Sequence, residues 1–106
     1  ITKDLDDDIS NSINKSEEKK SIPNIYSDFP IFDGEITKIS EKSTSKYTRC
    51  ILDYENISSL DFEDYLYDIT RAGYIQESNI KYAKKNTYII VVYSQTSLHI
   101  IFHINK

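Results

Sequence analysis

The sequence predicts an α+β fold in which a single helix packs on one face of an antiparallel sheet, in the order β-β-α-β-β-β, behind a disordered N-terminal tail. Three observations carry this. Ile57–Tyr74 alone repeats its apolar residues at the helical period between recognisable start and stop signals; five other segments alternate, or run apolar, over strand length; and residues 1–21 hold too little apolar surface to offset the entropy of ordering. The expected division is a flexible polar tether at 1–21 and one folded domain at 22–106.

The tether is Asp, Ser, Asn, Lys and Glu with isolated isoleucines, a flexible chain reaching on the order of 25 Å. Ile9, Ile13 and the Glu17–Lys20 run would form a short helix only against something to pack on. In Ile22–Phe32 apolar residues return, but Pro23 and Pro30 forbid a continuous helix, so extended chain lying on a surface is expected. Asp33-Gly34 reads as a turn, Glu35–Ile39 as a strand and Glu41–Ser45 as a polar loop. Lys46–Tyr54 alternates so that Thr48, Cys50, Leu52 and Tyr54 share one face, which places Cys50 in the core. In the helix, Phe62, Tyr65, Leu66, Ile69 and Ala72 fall on one side. Ser58 is its N-cap with Asp61 at the third position, Ile57 staples onto Phe62, and Gly73 supplies a left-handed C′ residue that turns Tyr74 back toward Ile69. Ile80–Lys84, Tyr88–Tyr93 and Leu98–Ile104 then read as an antiparallel meander, broken at Lys85-Asn86 and Ser94–Ser97.

Composition limits the function classes. The 106 residues are 39% hydrophobic and 28% charged, enough for one modest core and without any run approaching a membrane span. A net charge of −4 works against phosphate-backbone binding, so nucleic acid is not an expected partner; Lys81, Lys84 and Lys85 read as a solvated turn. The chain holds no methionine and begins at Ile1, so a removed upstream segment is expected, whether export signal, propeptide or design choice. Cys50 is the single cysteine and reports no oxidising compartment.

One helix covers one sheet face. Leu98, Ile100, Phe102 and Ile104 form the more apolar side of the last strand and are expected to meet the helix, which leaves His99, Ile101 and His103 on the other side. Tyr88–Tyr93 is apolar on both sides, and an exposed apolar patch of several hundred Å² calls for a cover. The Ile22–Phe32 segment, a second copy of the chain or a partner are the three candidates. The expected partner-binding residues are Ile89, Val91, Tyr93, His99, Ile101 and His103 on the sheet, with Asp61, Asp64 and Asp68 on the exposed side of the helix as a separate acidic surface.

No chemical constellation survives its spacing. His99 and His103 lie four residues apart on a strand, about 13 Å, too far to share a zinc ion, though they could form a pH-sensitive patch. Asp4, Asp6 and Asp8 imitate the start of a calcium loop, but Ile9 and Lys15 occupy its glycine and glutamate positions. Two glycines, both spent on turns, cannot build a phosphate loop, and Cys50 lies far in sequence from either histidine. Asn14-Lys15-Ser16 and Asn56-Ile57-Ser58 spell glycosylation sequons and no more. No catalytic residue, cofactor or metal is expected. Of nine tyrosines, Tyr47, Tyr67, Tyr82 and Tyr93 are the ones expected to be partly exposed, where they could contribute contact area.

The stretch Tyr54-Glu55-Asn56-Ile57-Ser58-Ser59-Leu60-Asp61-Phe62-Glu63-Asp64-Tyr65, followed by Ile69, Ala72, Gly73 and Tyr74, resembles small uncharacterised lipoprotein domains of low-GC Gram-positive bacteria. The resemblance spans roughly Pro30 to Ile104. It implies a lipid-modified cysteine upstream of a polar spacer, which residues 1–21 resemble, and no catalytic residues. The expected function is therefore a non-catalytic, extracytoplasmic, membrane-tethered domain that binds a protein or envelope component through its sheet, as a monomer or homodimer. The alternative is a cytoplasmic immunity or regulatory protein that neutralises a partner through Asp61, Asp64 and Asp68.

Overall fold

The computed structural model describes residues 21–106, so the expected tether lies outside the described residues except for Ser21. A six-stranded antiparallel sheet carries one helix on one face. The elements are β1 (Ile36–Ser43), β2 (Tyr47–Tyr54), α1 (Ser59–Arg71), β3 (Ile75–Gln76), β4 (Lys81–Lys84), β5 (Thr87–Ser94) and β6 (Ser97–Asn105). Across the sheet they run β1-β2-β6-β5-β4-β3. The C-terminal strand is thus central, paired with β2 on one side and β5 on the other, which suits the strand whose Leu98, Ile100 and Phe102 are buried in the core. None of the described helices is long and apolar enough to cross a membrane.

The expected architecture is present, with one strand more: the two-residue β3 pairs with β4 beyond the helix exit. β1 also runs further than its pattern suggests. Glu41, Lys42 and Ser43 continue the strand instead of looping, because β1 is a sheet edge and polar side chains are welcome there. Thr44 closes the turn, its amide donating to the Tyr47 carbonyl at 2.8 Å.

The helix is fixed at both ends by local chemistry. Ser58 Oγ accepts the Asp61 amide at 3.1 Å. At the exit Gly73 has φ +97°, its amide donates to Thr70 O at 3.0 Å and the Tyr74 amide donates to Ile69 O at 3.3 Å, the paired bonds of a Schellman turn. Lys84 Nζ donates to the Ala72 carbonyl at 2.7 Å, placing a cation at the negative end of the helix. Tyr65 and Ile69 are buried against Cys50, Leu52, Ile100 and the rest of the core, and Phe62 stacks on Tyr93 with ring centroids 4.5 Å apart.

The Ile22–Phe32 segment departs from expectation. It forms a 3₁₀ turn at Asn24–Tyr26 and sends Tyr26, Phe29 and Phe32 into the core on the helix side of the sheet. Phe29 stacks on Phe102 at 4.5 Å, and Phe32 meets Tyr54 and Tyr65 edge-on. The reason is area. A helix about 10 Å across covers less than half of six strands spaced about 4.8 Å apart, and the aromatic segment fills the remainder. It therefore does not cover the second face.

Candidate functional site

The second face is built by alternation, and its register follows from the pairing of β2, β6 and β5. Three rows run across it. The middle row is Ser40, Ile51, Ile101 and Ile90; on one side lies Lys42, Arg49, His103 and Tyr88; on the other Lys38, Asp53, His99 and Val92. The isoleucines are half-buried by their neighbours and Val92 is 38% exposed. No described element lies over them.

The expected residues divide between the two faces. His99, Ile101 and His103 are on the open one. Ile89, Val91 and Tyr93 are not: Ile89 pairs with Phe102, Val91 with Ile100 and Tyr93 with Leu98, so all three point to the helix side, where Ile89 and Val91 are core and the Tyr93 hydroxyl donates to Ile57 O at 2.6 Å. β5 is apolar on both sides, and its own pattern cannot say which set faces outward; its pairing with β6 decides. Tyr88, Ile90 and Val92 take the places assigned to those three. Arg49, Ile51 and Asp53 were also missed, although the alternation that buries Cys50 and Leu52 already turns them to the opposite side. Tyr47, Tyr67 and Tyr93 are partly exposed as expected, but Tyr82 is buried.

His103 is only 4% exposed, because it is sandwiched between two rings, Tyr88 at 4.2 Å and Tyr47 at 4.8 Å between centroids. Arg49 Nε donates to its Nδ1 at 3.2 Å, and its Nε2 lies 3.0 Å from Asn105 Oδ1. An imidazole that accepts at Nδ1 is neutral, with its proton on Nε2 directed to the amide oxygen. Burial pulls the His103 pKa down, helped by the positive charges of Arg49 and Lys81 and opposed by the Asn105 hydrogen bond. Arg49 Nη2 donates to the Tyr88 hydroxyl at 3.3 Å, and its guanidinium lies 4.9 Å from the Tyr47 ring centre. Lys81 Nζ sits over the Tyr88 ring at 4.5 Å while its ammonium pairs with Glu77. Lys81 is therefore part of this face and not of a solvated turn. His99 Nδ1 is bonded to Asp53 Oδ1.

Charge is segregated. The ends of β1 and β6, the start of β2 and the β4–β5 turn meet at one end of the sheet, bringing Lys42, Lys46, Arg49, Lys85 and Lys106 together. The opposite end and the helix carry Glu35, Asp53, Glu55, Asp61, Asp64 and Asp68, an acidic excess over Lys38 and Arg71. Asp61, Asp64 and Asp68 do share a surface, joined by Asp33 around a cleft of about 300 Å³ floored by Phe32 and Tyr65; Asp68 is paired with Arg71 at 3.6 Å. This surface and the open sheet face lie on opposite sides of the domain. A second concavity, of about 480 Å³, lies between Phe29, Tyr74 and the β4–β5 turn.

Among the described residues no group of three His, Cys, Asp or Glu side chains could hold a metal ion. Cys50 is fully buried, and burial, with the Glu41 carboxylate adding to it, raises the thiol pKa to about 11, which keeps it protonated and unreactive near neutrality. The fold and face thus define a small α+β domain with one helix-covered and one open sheet face. No family model, curated protein or solved structure matches the chain.

Proposed function

We propose that this chain is a non-catalytic binding domain, held outside the cytoplasm by a membrane-anchored N-terminus like the lipoprotein domains it resembles, and that the open sheet face holds its partner, another protein or an envelope component. The observation that carries the binding role is the row Ile51–Ile101–Ile90, with Val92 beside it, apolar across three adjacent strands of an uncovered face. A face of about four strand spacings by eight residues offers on the order of 500 Å². That matches one side of a small, transient interface and falls well short of an obligate one. Location rests on the resemblance and on the polar composition of residues 1–21.

A second reading keeps its own supporting observation. Asp33 joins Asp61, Asp64 and Asp68 around one cleft, a surface a cytoplasmic immunity-type protein could present to a basic partner. Photo-crosslinking in the host separates the two. A benzophenone amino acid at Val92 should capture a discrete species, lost when Ile101→Lys is added, whereas one at Tyr67 on the helix should not. Capture from Tyr67 and none from Val92 would reverse the choice, and the intact mass of the native protein from membrane and soluble fractions tests the anchor.

A further inference from the structure

We infer that the partner on the open face is a protein segment presenting carboxylates around an apolar side chain, and that Arg49 receives the carboxylate. The inference rests on the reading that this face binds, and adds what it binds. The Arg49 guanidinium is fixed by neutral acceptors, His103 Nδ1 and the Tyr88 hydroxyl, and among the described residues no carboxylate pairs with it or with Lys42. Among the described residues its charge is uncompensated, and its Nη1 edge is left for a ligand in the planar fork that suits a carboxylate. Lys42 stands directly opposite Arg49 on the neighbouring strand, a like-charge pair that is unfavourable until an anion lies between them. One row away, Ile51 and Ile101 offer the apolar seat.

The same geometry argues against other occupants. A nucleobase would need a free aromatic face, but Tyr88 has His103 on the β6 side and Lys81 on the β4 side, and His103 has a ring on each side. A twofold axis along the strands would set Arg49 and Lys42 of two copies against each other, and one across the strands would set Lys42 against Lys38 and Arg49 against an Asp53 already bonded to His99. A copy docked by its acidic helix would make a heterologous contact, which leads to open chains unless the rotation closes.

The test uses the full chain in an NMR titration with a blocked peptide alternating glutamate and leucine, the same peptide with lysine for glutamate, a short oligothymidylate, and phosphatidylcholine vesicles containing phosphatidylglycerol. The acidic peptide is expected to shift the Arg49 Nε–H and the Tyr88 and Ile101 amides, and to bind about tenfold more weakly to Arg49→Gln. Lys42 is exposed, so Lys42→Glu should weaken binding without touching the His103 stack, and it keeps the test valid if Arg49→Gln loosens the fold. Equal binding of the lysine peptide, tighter binding of the oligonucleotide or vesicles, or acidic-peptide binding indifferent to both variants would overturn the inference, as would self-association that buries α1. If Val92 crosslinking survives undiminished in both variants, the carboxylate chemistry fails while the binding face stands; if Val92 captures nothing, both fail.

Discussion

Tyr54 is fully buried, and its hydroxyl is the buried side-chain group without a hydrogen-bond partner among the described residues. Its ring is held edge-on by Phe32 at 4.9 Å, and burial raises its pKa to about 12, so the phenol stays neutral. A buried, unpaired hydroxyl costs about 1–3 kcal/mol relative to its hydrated state. Tyr54→Phe removes that cost, keeps the ring, and leaves a gap of one oxygen; a net gain of about 1 kcal/mol is expected, or about 4–8 °C in Tm for a domain of this size. The same change elsewhere must have the opposite sign. Tyr26→Phe breaks a 3.0 Å bond to Thr48 Oγ1 and strands that buried hydroxyl, costing about 1–2 kcal/mol. Tyr65→Phe loses a 2.8 Å bond to Pro30 O, costing about 1 kcal/mol. Urea unfolding of the three variants, followed by circular dichroism, gives the comparison. If Tyr54→Phe is destabilised as much as Tyr26→Phe, its hydroxyl is bonded in solution and the reasoning fails.

The helix ends give a second comparison: Ser58→Ala should cost about 1 kcal/mol through the lost cap. Gly73→Ala should cost about as much or more at φ +97°, even though the new Cβ would come no nearer than 3.5 Å to Lys84; unchanged urea midpoints would refute either. The third concerns pH. His103 is held neutral among Tyr47, Tyr88, Arg49, Lys81 and Asn105, with its pKa below the ordinary 6.5. As pH falls below about 6.5 the unfolded chain takes up a proton that the folded chain refuses, so this contribution to stability is complete above that pH and is lost progressively below it. His103→Gln should lose less stability than the parent between pH 7.5 and 5.5 in urea titrations, and an equal loss in both would place the effect elsewhere.

Much of the fold was legible because its signals are local. The Ser58 cap, the Gly73 exit and the alternation through Cys50 and Leu52 depend on residues within one turn or one strand, and each is found as read. What failed depended on partners distant in sequence. Tyr26, Phe29 and Phe32 could be recognised as apolar, but which side of the sheet they join is set by the area one helix leaves uncovered. β5 could be recognised as a strand, but Ile89 and Val91 face the core because of their pairing with Phe102 and Ile100. For the candidate site, His99 and His103 lie on the face where their alternation puts them, since polar residues in an apolar strand stand out. Arg49 was missed, because its significance lies in two bonds across the sheet and in the Lys42 charge beside it.

The near balance of charge in residues 21–106, 9 Lys and Arg against 11 Asp and Glu, averages two surfaces of opposite sign, and the average conceals what either would do. The basic row at Lys42 and Arg49 is backed, across the thickness of the domain, by Asp61, Asp64 and Asp68. An acidic partner would be repelled from the helix side and drawn to the sheet side, so the encounter would be oriented before contact. Salt weakens that steering over a Debye length of about 8 Å at physiological ionic strength, whereas burial of a partner side chain on Ile51, Ile101 and Ile90 is not screened. Added salt should therefore slow association more than it speeds dissociation. That division separates a face in which charge selects and apolar surface holds from one in which charge alone does both.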